Sequence, residues 1–318
     1  MMAQLFGGSK LWKELLREMN AVTKMVMLLV LTVIAFAGIA RGNPRPGKTV
    51  SFNKDWRFHL GDFPSGQEAV TDDSQWRGLN LPHDWSIEGE FDEKNPATTG
   101  GGALPGGIGW YRKAFALPAT ARDQLVFVEF DGVYRNSEVW INGHYLGKRP
   151  YGYSSFRYEL TSFLKFDGQK NLIAVKVDNS QQPNSRWYSG SGIYRNVWLT
   201  TTNKVFVDHW GTFVTTPDVN PKTAKVHAET KISNNTTSDQ NAVLTTIIYS
   251  PAGKEISRVS SSLSIAKSSV LSVAQDLAVG RPSLWSVDSP TLYRLFSQVT
   301  VGRTVVDQYE TPFGILRM

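Results

Sequence analysis

The sequence predicts an all-β chain of two successive sandwiches, a jelly roll followed by an immunoglobulin-like fold. Three observations carry that expectation. Short runs rich in β-branched and aromatic residues recur, Gly, Pro and Asn clusters punctuate them, and one stretch alternates apolar with polar residues at a period of two. With 318 residues, 41% of them hydrophobic, the chain has material for about two domains. Its 27 glycines and 10 tryptophans suit turn-rich, aromatic β structure.

Residues 1–40 read as a signal peptide. Lys24 precedes an apolar run, Met25 to Ala40, that offers two small-residue cleavage sites, Ala35-Phe36-Ala37 and Gly38-Ile39-Ala40. This run of 16 residues falls short of the roughly 20 that a membrane-spanning helix needs, and Arg41, Gly42 and two prolines follow it. Export to the periplasm or the medium is therefore expected, with no stable membrane anchor. The stretch before Met19 is long for a leader, so Met19 and Met25 are candidate starts. Residues 41–47 form a Pro/Gly linker.

Residues 48–203 are the expected jelly roll. Residues 125–130 (LVFVEF) and 172–177 (LIAVKV) read as strands, the latter buried. Residues 138–146 read as a hairpin, because Asn142-Gly143 is the dipeptide that best tolerates the positive φ angles of a type I′ turn. Long irregular connections, notably the Gly/Pro-rich stretch 95–109, favour a two-sheet jelly roll whose loops carry the binding residues. Trp110, Trp140 and Trp198 fall in strand patterns and are expected in the core. Glu129 and Asp131 are expected to face outward or to stabilise a turn, and His83 with Asp84 to fasten Trp85 into the core.

Residues 204–311 carry the second sandwich, and residues 312–318 the start of a further link. Val226, Ala228, Thr230 and Ile232 alternate with His227, Glu229 and Lys231, the pattern of a sheet with one dry and one wet face. Strands recur over 243–249, 255–259 and 270–277, and Gly302-Arg303 joins 292–301 to 304–309 in a last hairpin. About seven strands in this length match an immunoglobulin-like sandwich without a disulfide. No part of it reads as a site.

Charge and motifs exclude several functions. The formal charge is +6, and residues 1–40 supply +2 of it (Lys10, Lys13, Arg17, Lys24 against Glu14, Glu18). The remaining basic residues are scattered among acids, so no nucleic-acid surface is expected. Cysteine is absent, and His59, His144, His209 and His227 lie singly, so neither a metal site nor a cofactor is expected. There is no Gly-x-Ser-x-Gly elbow, phosphate loop or dinucleotide fingerprint. The acidic group Glu88, Glu90, Asp92, Glu93 sits in a Gly- and Pro-containing loop and reads as solvated charge.

The segment 178–199, DNSQQPNSRWYSGSGIYRNVWL, is the richest in chemistry. Trp187 or Tyr188 can cover the C–H face of a pyranose, Asn184, Arg186 and Ser189 can bond its hydroxyls, and Gly190 and Gly192 permit turns. The same residues would equally serve as a structural hairpin loop.

RWYSGSGIYRNVWL, with FNKDWRF (52–58), LPHDW (81–85), GWYRKAF (109–115), FDGVYRNSEVWINGHYLG (130–147), YGYSSF (151–156) and LWSVDSPTLY (284–293), resembles family 2 glycoside hydrolases of the β-galactosidase branch in order along the chain. The resemblance implies a galactose-binding-like jelly roll and an immunoglobulin-like domain, with both catalytic glutamates on a following barrel. No catalytic residue is therefore expected here. A retaining glycosidase needs two carboxyl groups about 5 to 5.5 Å apart. The expected function is the sugar-contacting, non-catalytic portion of an exported β-galactosidase-like hydrolase, with a stand-alone glycan-binding or adhesin-like module as the alternative. Asn184, Arg186, Trp187 and Ser189 are the expected substrate contacts, and Tyr194, Arg195 and Trp198 are expected to brace the loop.

Overall fold

The computed structural model describes residues 48–317; the leader and linker expected over 1–47 lie outside the described residues. Ten strands build the first sandwich: β1 (Lys48–Ser51), β2 (Trp56–Leu60), β3 (Arg77–Leu79), β4 (Gly107–Ala116), β5 (Leu125–Phe130), β6 (Ser137–Ile141), β7 (His144–Arg149), β8 (Phe156–Glu159), β9 (Lys170–Asn179) and β10 (Val197–Thr202). They form a four-stranded sheet in the order β1-β10-β5-β8 and a six-stranded sheet in the order β3-β2-β4-β9-β6-β7. Every pairing is antiparallel. This is the jelly roll expected from the sequence.

The inward faces of the two sheets meet in one core. Trp56, Tyr111, Phe130, Ile141 and Ile173 are wholly buried there. Each such apolar side chain stabilises the fold by about 1.5–3 kcal/mol relative to leaving it in water. The β6–β7 hairpin turns as expected, with Asn142 at φ 50° and Gly143 at φ 83° between the paired residues Ile141 and His144.

Trp110 is buried as expected, whereas the expectations for Trp140 and Trp198 need correction. Trp110 is 3% exposed but faces away from the main core, where it stacks on Trp140 at 5.4 Å and is covered by the loop around Gly66. Arg112, on the same face of β4, ties that loop down through the carbonyls of Gly66 and Glu68 and an ion pair to Asp73 at 2.7 Å. Trp140 and Trp198 are only half-buried. Trp140 lies opposite the core-facing Val139 and Ile141, and the Trp198 indole donates to Asp131 Oδ2 at 2.9 Å.

Seven strands make the second sandwich: β11 (Val205–Val219), β12 (Thr223–Asn234), β13 (Gln240–Tyr249), β14 (Glu255–Ile265), β15 (Ser269–Gly280), β16 (Tyr293–Val301) and β17 (Thr304–Phe313). Sheets β11-β12-β15 and β14-β13-β16-β17 face each other. Val226, Ala228, Thr230 and Ile232 of β12 are buried at 1% exposure or less, as their alternation implies. Among the described residues no cysteine joins the sheets.

Glu129 does not face outward into solvent: it is 5% exposed. The second sandwich covers the outer face of β5, so Leu125 and Phe127 pack with Phe206 of β11, and Glu129 lies 3.9 Å from His209. Arg157 joins this junction, its guanidinium 4.3 Å from the Phe127 ring centre and 3.8 Å from Asp208. Burial holds the Arg157 pKa below its ordinary value, an effect the neighbouring carboxylates oppose.

Candidate functional site

The loop from Ser180 to Gly192, between β9 and β10, is built on a buried polar hub. Asn179, at the end of β9 and 2% exposed, donates to Gly190 O at 2.9 Å and to Ser191 Oγ at 2.8 Å. Its own oxygen accepts from Asn184 Nδ2 at 2.7 Å. Ser191 Oγ also accepts from Ser86 Oγ at 2.7 Å, and the Ser191 N–H is taken by Asp84 Oδ1 at 2.8 Å. Buried polar atoms in this network are thereby satisfied, which fixes the loop to both sheet ends.

Gly190 and Gly192 are obligatory in this geometry. Both have positive φ, 70° and 126°. A Cβ on Gly190 would sit 2.5 Å from Asp84 Oδ2, and one on Gly192 would sit 2.4 Å from Tyr111 Oη and 2.7 Å from the His83 carbonyl oxygen. Gly192 makes a two-bond bridge to Tyr134, its N–H donating at 2.8 Å and its carbonyl accepting at 2.9 Å.

His83 and Asp84 act as fasteners. His83 is 8% exposed, with Nδ1 2.7 Å from Tyr111 Oη and Nε2 2.7 Å from Arg77 Nη2. An Nδ1–H tautomer satisfies both contacts, because it donates to the phenol and accepts from the guanidinium. Burial lowers the His83 pKa against the opposing pull of Glu88. Glu88, exposed at the surface as expected, pairs with Arg77 at 2.8 Å. Trp85 is 3% exposed, its indole donating to Gly106 O at 2.9 Å.

Beside this braced loop lies a cleft of about 690 Å³, lined by Tyr134, Arg135, Tyr151, Tyr153, Asn184 and the stretch 185–187, together with Pro150 and Gly152. Three of the four expected contacts, Asn184, Arg186 and Trp187, thus share one cavity. Trp187 is 62% exposed, its indole donating to Tyr153 Oη at 3.4 Å. Asn184 is half-buried and accepts from Tyr134 Oη at 3.1 Å. Ser189 does not line the cleft; its hydroxyl stands behind Asn184 and donates to Asn184 Oδ1 at 3.2 Å.

Tyr188 points elsewhere. Its hydroxyl donates to Asp84 Oδ2, and burial together with that carboxylate raises the phenol pKa well above its ordinary value. Tyr194 braces the opposite wall by donating to Gly152 O at 2.9 Å, and Arg195 donates to Asp131 O at 3.3 Å.

Tyr134, Arg135, Tyr151 and Tyr153 were not singled out from the sequence as contacts. The signal available was the paired tyrosines and glycine of YGYSSF, two bulky rings around a residue that leaves room for the Tyr134 ring. The cleft can stack pyranose faces and bond hydroxyls, but no carboxylate among the described residues lines it. The nearly buried carboxylates among the described residues, Glu129 and Asp307, lie at β5 and β17 and are engaged by β11, His209 facing the first and the Val207 N–H donating to the second at 2.8 Å.

Comparison with known proteins agrees with this geometry. Residues 50–203 match the model of the glycosyl hydrolases family 2 sugar binding domain, and residues 205–315 match a second model of glycosyl hydrolases family 2. A β-galactosidase of Bacteroides ovatus, BoGH2A, is 47% identical over 270 residues, which cover 85% of this chain and 32% of that protein. A putative β-glucuronidase of Formosa agariphila is 40% identical, covering 83% of this chain and 25% of the relative. A solved family 2 member from Bacteroides cellulosilyticus superposes with a TM-score of 0.80 at 36% identity, over 84% of this chain and 35% of that one. The chain therefore spans between a quarter and about a third of the length of these relatives. Two sandwiches in family order, each matched along nearly its whole length, make this chain a member of glycoside hydrolase family 2.

Proposed function

We propose that this chain is the sugar-contacting, non-catalytic portion of an exported β-galactosidase-like hydrolase, acting on O-glycosidic bonds of a β-galactoside-like glycan. The observation that carries the reading is the cleft, in which Trp187, Tyr151 and Tyr153 offer ring faces and Asn184 and Arg186 offer hydrogen bonds. Such a surface positions a saccharide, and positioning without a proton donor and a nucleophile does not lower the barrier to glycoside cleavage. The β-galactosidase relative supports galactoside chemistry, and the apolar run Met25 to Ala40 supports export.

The test separates holding from cutting. The purified chain is expected to bind β-galactosides on a glycan array and to show no turnover of an aryl β-galactoside above a heat-killed control. Turnover would overturn the non-catalytic reading, and an array with no glycan bound would overturn the sugar-contacting one.

A further inference from the structure

We infer that the cleft contains a subsite for an anionic group carried by the glycan, a carboxylate or a sulfate ester, held between Arg135 and Arg186. This deepens the sugar-contacting reading above and rests on it. The first sandwich contains nine arginines among the described residues. Arg77, Arg112, Arg122 and Arg157 pair with Glu88, Asp73, Asp167 and Asp208. Arg57 donates to Trp76 O, Arg195 to Asp131 O, and Arg149 lies 5.6 Å from the Phe156 ring centre. Arg135 and Arg186 are the two whose guanidiniums have no such partner, and both line the same cavity, which among the described residues holds no acidic one.

That distribution selects for an anion. A guanidinium presents a planar fork of donors that matches a carboxylate or sulfate oxygen pair, and bonds to such charged acceptors are about twice as strong as neutral ones. Arg135 is half-buried and its backbone is fixed, its carbonyl accepting the Asp178 N–H at 3.0 Å, so its side chain starts from a set point on the cleft wall. Arg186 is exposed and sits on the braced loop beside Trp187. A pyranose stacked on the Trp187 or Tyr153 ring can present an exocyclic acidic group to both forks.

Three disaccharides test the subsite by calorimetric titration of the full chain: lactose, lactose with its galactose C6 oxidised to a carboxylate, and lactose sulfated at that carbon. At least one anionic form is expected to bind about tenfold or more tightly than lactose at low salt, with the advantage shrinking as salt is raised. Whichever form shows the larger advantage identifies the natural group as carboxylate or sulfate. In Arg135→Gln and Arg186→Gln combined, the ratio of anionic to neutral affinity is expected to fall to about one, with an unchanged thermal midpoint showing that the fold persists. Equal affinity for all three sugars overturns the subsite alone and leaves the sugar-contacting reading intact, as does an anionic advantage that survives in the double variant. Failure of lactose and both anionic forms to bind overturns both.

Discussion

Replacing Asn179 with Ala removes the hub on which the sugar loop is hung. Two of its bonds, to Gly190 O at 2.9 Å and Ser191 Oγ at 2.8 Å, are buried, and the third, from Asn184 Nδ2 at 2.7 Å, is partly so. A net hydrogen bond contributes about 1 kcal/mol, and leaving its buried partner unsatisfied costs about 1–3 kcal/mol. The Gly190 carbonyl becomes such an orphan. Ser191 keeps its contact with Ser86, and Asn184 is near enough to the surface to recruit water. The sum is a loss of about 3 kcal/mol, roughly a hundredfold in the folding equilibrium. Urea unfolding followed by tryptophan emission reads it well, because seven of the nine described tryptophans lie in the first sandwich. Glycan affinity is expected to fall as well, since Asn184 loses its anchor. A midpoint change worth less than about 1 kcal/mol, with unaltered glycan affinity, would refute the idea that this amide organises the loop.

Gly192→Ala is expected to destabilise the first sandwich by more than about 2 kcal/mol, because a methyl cannot share space with Tyr111 Oη and the His83 carbonyl at φ 126°; a thermal midpoint within a degree of the parent contradicts this. His83 gives a pH signature. Its folded pKa lies below the ordinary value of about 6.5, so between the two values the unfolded chain binds the extra proton. Stability is thus full above about pH 6.5 and falls as pH drops toward the folded value. Thermal midpoints measured between about pH 8 and 5 should show this decline, and His83→Gln should flatten it; an identical slope in the variant would assign the decline to other groups.

Much of the architecture was legible because local chemistry and tertiary context agree. Asn142-Gly143 specifies its turn whatever surrounds it, and the alternation from Val226 to Ile232 follows from one dry and one wet face. Glu129 was misread because a single strand does not name what covers its outer side. The signal was present in LVFVEF, where Leu125 and Phe127 are apolar at the positions that a one-sided sheet would leave polar, and Phe206 is the reason. Trp110 is buried as expected, but strand patterning does not name what covers it: the loop around Gly66, fastened by Arg112.

The candidate site divided along the same line. Asn184, Arg186 and Trp187 are close in sequence and share a loop, so their meeting in one cleft needed only the turn chemistry of that loop. Ser189 lies two residues beyond Trp187, where the backbone turns toward Gly190, and its hydroxyl faces back onto Asn184. Tyr134, Arg135, Tyr151 and Tyr153 arrive from the ends of β5 and β7, and only the pairing of β6 with β9 and the Tyr134–Gly192 bridge bring those ends to the loop. Periodicity carries no such long-range information.

The most direct measurement is the affinity of a β-galactoside for the chain with and without the Trp187 ring. Trp187→Ala is expected to weaken binding about tenfold or more, from the loss of ring stacking on the sugar, while the urea midpoint stays put because that side chain is 62% exposed. An affinity equal to that of the parent would contradict the claim that this cleft holds a saccharide.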